Sequence, residues 1–335
     1  MKPSQFLFLG LAVLGLPSVA PVFGLPQSSY HLIQTFPVRG EGRWDYISID
    51  QLARRLYVSH AGTLQVLNAD SGELIGEIPG GFQGPALAAN LNRGFTGKGD
   101  TITIFDLKTL KVIKEVSVNG SDAILYDPFT KRVFPIDEKI TVIDGKSGDK
   151  VGEVNLGSRP EEAVSDGKGK VYVNLVEKNA IAVINAESLG VTAIYPIDRC
   201  TSPISLSLDP DTHRLFVGCG DGVAVVDADN GRTVANVFLT CNGVDGGGFD
   251  REARLIFRSC GEGVVSIIKE LAPDHYDLVD AVKTALYART MVFDPNTKRI
   301  FLPTADFENL PTADPGKPYK RQEKPGSFRV LVLAP

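Results

Sequence analysis

Cysteine is absent from the first 199 residues of this 335-residue chain, and only four follow. That absence removes the acceptor a lipid-anchored exported protein carries near its N-terminus. The chain has no CxxC pair for a redox or zinc site. Cationic excess is missing too, since 35 Lys and Arg face 40 Asp and Glu for a net charge of -5. No general attraction for nucleic acid or acidic membranes is expected. Neither GxSxG nor HExxH occurs, which removes the serine-hydrolase elbow and the zinc-protease signature. Helical periodicity is weak throughout.

What is present starts with "MKPSQFLFLGLAVLGLPSVAPVFG": one Lys, an apolar run from Phe6 to Leu16, then small residues. The run is too short to span ~30 Å of hydrocarbon. We read residues 1–24 as a secretory signal, the alternative being an uncleaved anchor. Cleavage is placed after Gly24, because a cut after Ala20 leaves Pro21 just beyond it. The remaining 25–335 is expected to be one periplasmic or secreted domain, monomeric and without a membrane span. With 43% hydrophobic residues it can build a sizeable core, and 34 Gly with 21 Pro call for many tight turns.

A segment recurs along the chain: "IDQLARRLYVSH" from Ile49, "YDPFTKRVFPID" from Tyr126, "LDPDTHRLFVGC" from Leu208, "FDREARLIFRSC" from Phe249 and "FDPNTKRIFLPT" from Phe293. "SDGKGKVYVNLV" from Ser165 is one residue shorter, and "ANLNRGFTGKGD" from Ala89 is the most degraded copy. The aromatics Tyr57, Phe95, Phe134, Tyr172, Phe216, Phe257 and Phe301 stand 38, 39, 38, 44, 41 and 44 residues apart. This period and the strand-turn-strand plan of each copy predict an all-β, seven-bladed β-propeller with four-stranded blades. The last copy lacks a fourth strand, and "HLIQTFPV", His31 to Val38, is available to fill it and close the ring.

The copies "SRPEEAVSDGKGKVYVNL" and "ITVIDGKSGDKV" resemble the YVTN-type repeats of the YncE-like family of exported bacterial β-propellers. The resemblance covers essentially all of the expected mature chain. It implies the propeller fold and carries no catalytic signature.

In a blade, the residues at the start of the inner strand line the mouth of the central channel on the top face. Five positions before each repeat anchor, with Asn90 as anchor in the second copy, stand Asp45, Pro85, Asp122, Glu161, Ile204, Asp245 and Arg289. Trp44, Tyr46, Glu162, Ser205 and Thr290 adjoin them, and the ends of the second strands add His60, Lys98, Asp137 and Glu138. Concave sites with convergent polar groups are the usual ligand pockets. Three readings follow: solvated turn residues with Arg289 pairing Asp45 or Asp245; recognition of a cationic or polyhydroxyl molecule; or a hard cation, Ca²⁺ or Mg²⁺, on Asp45, Asp122, Glu161 and Asp245.

A non-catalytic module binding a small molecule or protein segment is the first expectation. A metal-assisted hydrolase or lyase is the alternative, with His60 as candidate general base and Glu161 as a second candidate catalytic residue. The lone His60 also reads as a structural hydrogen-bonder. Cys200, Cys219, Cys241 and Cys260 fall in repeat register, which makes Cys200–Cys219 and Cys241–Cys260 the economical disulfides, with a four-thiolate metal site as the rival. The stretch 305–327 reads as a long irregular top-face loop, whose Lys317, Lys320, Arg321 and Lys324 form the one basic cluster. "NGS" at Asn119 reads as a turn between blades as well as a glycosylation sequon.

Overall fold

Each repeat folds because its second and third strands are apolar on both sides while its outer strand is not. In blade one the strands are Trp44–Asp50, Arg55–His60, Thr63–Asn68 and Leu74–Pro79. The middle pair is almost wholly buried, whereas the outer strand exposes most of its residues. The computed structural model describes residues 29–311 and 319–335. The expected signal, 1–24, lies outside the described residues.

Seven four-stranded antiparallel sheets form the propeller, and six of them take their strands in chain order. The seventh combines Val292–Asp294, Arg299–Thr304, Arg329–Ala334 and the N-terminal strand His31–Pro37. Its outer pairing runs from His31 opposite Ala334 to Pro37 opposite Arg329, as the missing fourth strand predicts. Among the described residues no helix is long and apolar enough to cross a membrane. The seven repeat aromatics are each 2% exposed or less. Burial of each such ring supplies roughly 1.5–3 kcal/mol.

Neighbouring blades interlock by two devices. On the bottom face, each turn aspartate holds its own turn and, at three junctions, a cation of the next blade. Asp209 pairs with Arg254, Asp250 with Lys298, and Asp294 with Arg54, at 2.6, 2.9 and 2.6 Å. The three cations stand at positive φ of 57°, 58° and 53°, so the backbone turn itself directs each side chain back to the preceding blade. The Asp294–Arg54 pair joins the last blade to the first.

At the outer rim, the last turn of successive blades presents Gly72, Leu110, Gly148, Leu189 and Gly231, all with positive φ. Leu110 fills the space at Gly76, and Leu189 that at Gly152. Where glycine stands instead, Phe36, Ile104 and Tyr195 from the preceding blades occupy the space. Knob and hole thus alternate from blade to blade.

The stretch 305–327 is not irregular throughout. Phe307–Pro311 and Tyr319–Glu323 pair as a two-stranded antiparallel hairpin between the second and third strands of blade seven. Arg329 binds Asp306 at 2.8 Å, and the Gly42 N–H donates to Glu323 Oε2 at 3.0 Å. Residues 312–318, including Lys317, lie outside the described residues.

Candidate functional site

The mouth residues owe their direction to local irregularity. The ladder between first and second strands shifts register at Trp44/Ile47, Pro160/Ala163 and Val244/Gly246. Such bulges re-aim side chains at the end of a strand. Here they hold Asp45, Tyr46, Glu161, Glu162 and Asp245. Blade two has the same shift at Gln83/Ala86, where Pro85 supplies no charge.

Asp45, Asp122, Glu161 and Asp245 line one cavity of about 490 Å³, together with Tyr46, Arg159, Ile204 and Arg289. Arg289 binds Asp245 at 2.5 Å and Asp45 at 3.6 Å. Arg159 pairs with Glu161. Asp122 is left without an ion pair of its own among the described residues. Tyr46 packs its ring against the core of blades three and four.

Burial disfavours the charged form of Asp45, Asp122 and Glu161, and crowding by like charge adds to it. The Asp45 carboxyl is pushed up to about 7 by burial, with Arg289 opposing and the Asp245 and Asp122 charges reinforcing the shift. Burial also raises Asp122, opposed by Arg159 and reinforced by Asp245. Glu161 is raised by burial against its Arg159 partner. The Tyr46 phenol is held well above its ordinary value by burial and then by the Asp122 and Asp45 charges. A mouth in this state favours a ligand that brings positive charge.

Other expected site residues lie elsewhere. Trp44 packs between Phe307 and Phe328, with ring centroids 5.8 and 5.3 Å away. His60 is 1% exposed and stacked on Phe328 at 3.6 Å. Burial lowers its imidazole to about 4, although the Arg39 backbone and Gln65 lie near enough to oppose the shift. Neither ring nitrogen makes a well-formed hydrogen bond, and His60 does not line the mouth cavity. Thr290 is buried and donates through Oγ1 to the Asp45 carbonyl at 2.6 Å, stitching blade seven to blade one.

Glu162 turns away into the wall, where Oε2 accepts the Leu206 N–H at 2.6 Å. Burial raises its carboxyl to about 7, opposed by the Leu206 N–H and the charge of Arg258. Arg258 is wholly buried and donates to the Phe216 and Phe257 carbonyls at 2.6 and 2.7 Å. A Cβ on Gly247 would stand 2.3 Å from its Nη1, so the "DGGGF" run makes room for this arginine. Arg258 was not foreseen at the sequence level, and the glycine run was its only signal. Arg159 was also missed, although it is the Arg of the "SRPEE" repeat segment.

Both expected disulfides are present, with Cα atoms 5.3 and 6.2 Å apart. Cys241–Cys260 anchors the chain beside Gly243, Val244, Asp245 and Gly261, which all line the mouth. No group of three or more His, Cys, Asp or Glu among the described residues is placed to hold a metal ion, the four mouth acids included. At the sequon, Asn119 Nδ2 donates to Thr141 Oγ1 at 2.8 Å and to the Lys139 carbonyl at 3.1 Å, which ties it into the turn. No protein-family model matches the chain, and no curated protein matches it.

Proposed function

We propose that this protein is an exported, non-catalytic binding module whose mouth takes a small ammonium-bearing molecule or the cationic side chain of a protein segment. One observation carries this reading: four carboxyl groups share a cavity with two guanidinium groups, and among the described residues Asp122 has no ion pair. A ligand cation would complete the pairing, and a hydrogen bond to a charged group contributes roughly 1.5–3 kcal/mol. The four-cysteine staple near the mouth and the N-terminal segment support export. The repeat motif and the seven blades support a YncE-like affiliation.

Calorimetric titration with 1,5-diaminopentane tests the reading. Saturable binding is expected, weakened about tenfold by Asp122→Asn, which is about 1.4 kcal/mol. Because Asp45 must ionise to attract a cation, affinity rises from about pH 6 to about pH 8. No binding at millimolar concentration, or an unchanged affinity in Asp122→Asn, would falsify it.

A further inference from the structure

A second concave site lies on the top face beside the mouth. The hairpin and the loop leading into blade seven enclose a cleft of about 380 Å³, within the size range of small-ligand pockets. Part of its lining is aromatic and apolar: Tyr287 meets Phe307 edge to face at 4.9 Å, and Leu286 beside them is 63% exposed. Arg321 lies over the Tyr287 ring at 4.7 Å. That stacking uses the flat face of the guanidinium and leaves its edge, where the N–H donors point, available. Arg321 donates to no protein group among the described residues, and Lys324 at the same cleft forms no ion pair there. Among the described residues the one acid lining the cleft, Asp306, is bound by Arg329 at 2.8 Å.

Both walls are fixed in place before any ligand arrives. The Tyr287 N–H donates to the Gly261 carbonyl at 2.8 Å, Thr304 Oγ1 donates to the Leu286 carbonyl at 2.8 Å, and the Lys324 N–H donates to the Asp306 carbonyl at 2.8 Å. Tyr287 itself holds φ at 66°, an uncommon conformation for a bulky residue and one that tends to mark functional positions. Preorganised walls reduce the ordering cost of binding.

We propose that this cleft binds a small aromatic monocarboxylate, its ring against Leu286 and Phe307 and its carboxylate on Arg321 and Lys324. A planar carboxylate matches the guanidinium edge, and an apolar ring matches the exposed wall. Asp306 at the same cleft disfavours a second negative charge, which selects a monoanion over phosphate. This site is independent of the cation reading of the mouth.

Benzoate, its neutral analogue benzamide and inorganic phosphate are the probes, titrated calorimetrically into the full chain. Benzoate is expected to bind at least tenfold more tightly than benzamide or phosphate, and Arg321→Gln to lose at least tenfold of that affinity at unchanged melting temperature. If Arg321→Gln lowers the melting temperature, Lys324→Gln and Leu286→Asp are read instead. Each then weakens benzoate threefold or more. Equal affinity for benzoate and benzamide, tighter binding of phosphate, or unaltered affinity in the correctly folded variants overturns the proposal.

Discussion

The two faces of the propeller use the same carboxyl chemistry to opposite ends. At the bottom, Asp209 is fully buried, yet its carboxyl lies below the usual range. Burial raises it, but the Thr212 hydroxyl, the Asp211 N–H and Arg254 together outweigh that. At the top, the Asp45, Asp122 and Glu161 carboxyls are raised, first by burial and then by the like charges that face them, which the nearby arginines do not outweigh. Satisfied carboxylates hold blades together. Those at the mouth are the groups that the proposed cation would pair.

The comparison breaks most visibly at the ring closure. Arg54→Ala strands the buried Asp294 and is expected to cost roughly 3–5 kcal/mol, measured by denaturant unfolding. A loss under about 1 kcal/mol would remove the latch from the bottom-face account. Next in size is the staple beside the mouth: Cys241→Ala with Cys260→Ala should cost about 2–4 kcal/mol and weaken binding of 1,5-diaminopentane.

The pH dependence sharpens the contrast. Asp45 has a folded value of about 7 against an ordinary 3.8, so its contribution favours the fold below the lower value and is lost as pH rises through the higher. Asp45→Asn should therefore raise stability on the order of 1 kcal/mol at about pH 8 and leave it unchanged at about pH 4. Asp209 behaves oppositely: its contribution is full above its ordinary value and fades as pH falls through its depressed one. Destabilisation by Asp45→Asn at alkaline pH would make the top acids latches too. The smallest effect is expected for Arg289→Ala, below about 1 kcal/mol, since its pairs with Asp45 and Asp245 are partly solvated.

Much of this architecture is legible in the chain itself. A repeat with an aromatic in every second strand announces seven blades, the absent fourth strand of the last repeat announces the closure, and cysteines in register announce their pairing. The mouth positions are legible as positions, because Asp45, Asp122, Glu161, Asp245 and Arg289 do share one cavity. Orientation is not legible. Side chains alternate faces with a period of two, so a one-residue bulge decides whether Glu161 or Glu162 faces the channel. Trp44 is drawn against the hairpin, whose pairing the polar, Pro-rich stretch 305–327 does not advertise, and His60 onto Phe328 beyond it. The alternation of Gly72, Leu110, Gly148, Leu189 and Gly231 is visible in sequence, but its meaning lies in what the preceding blade presents.

Closure by the N-terminal strand also sets the order of assembly. Among the described residues His31–Pro37 pairs with Arg329–Ala334 alone, so the first described strand has no ladder until the last is in place. Contacts of such sequence separation slow folding, because the loop must close before the pairing rewards it. Removal of Arg329–Ala334 would therefore take two strands from one blade at once, because His31–Pro37 reaches the sheet only through it. The ring's closure thus hangs on one ladder between strands about three hundred residues apart.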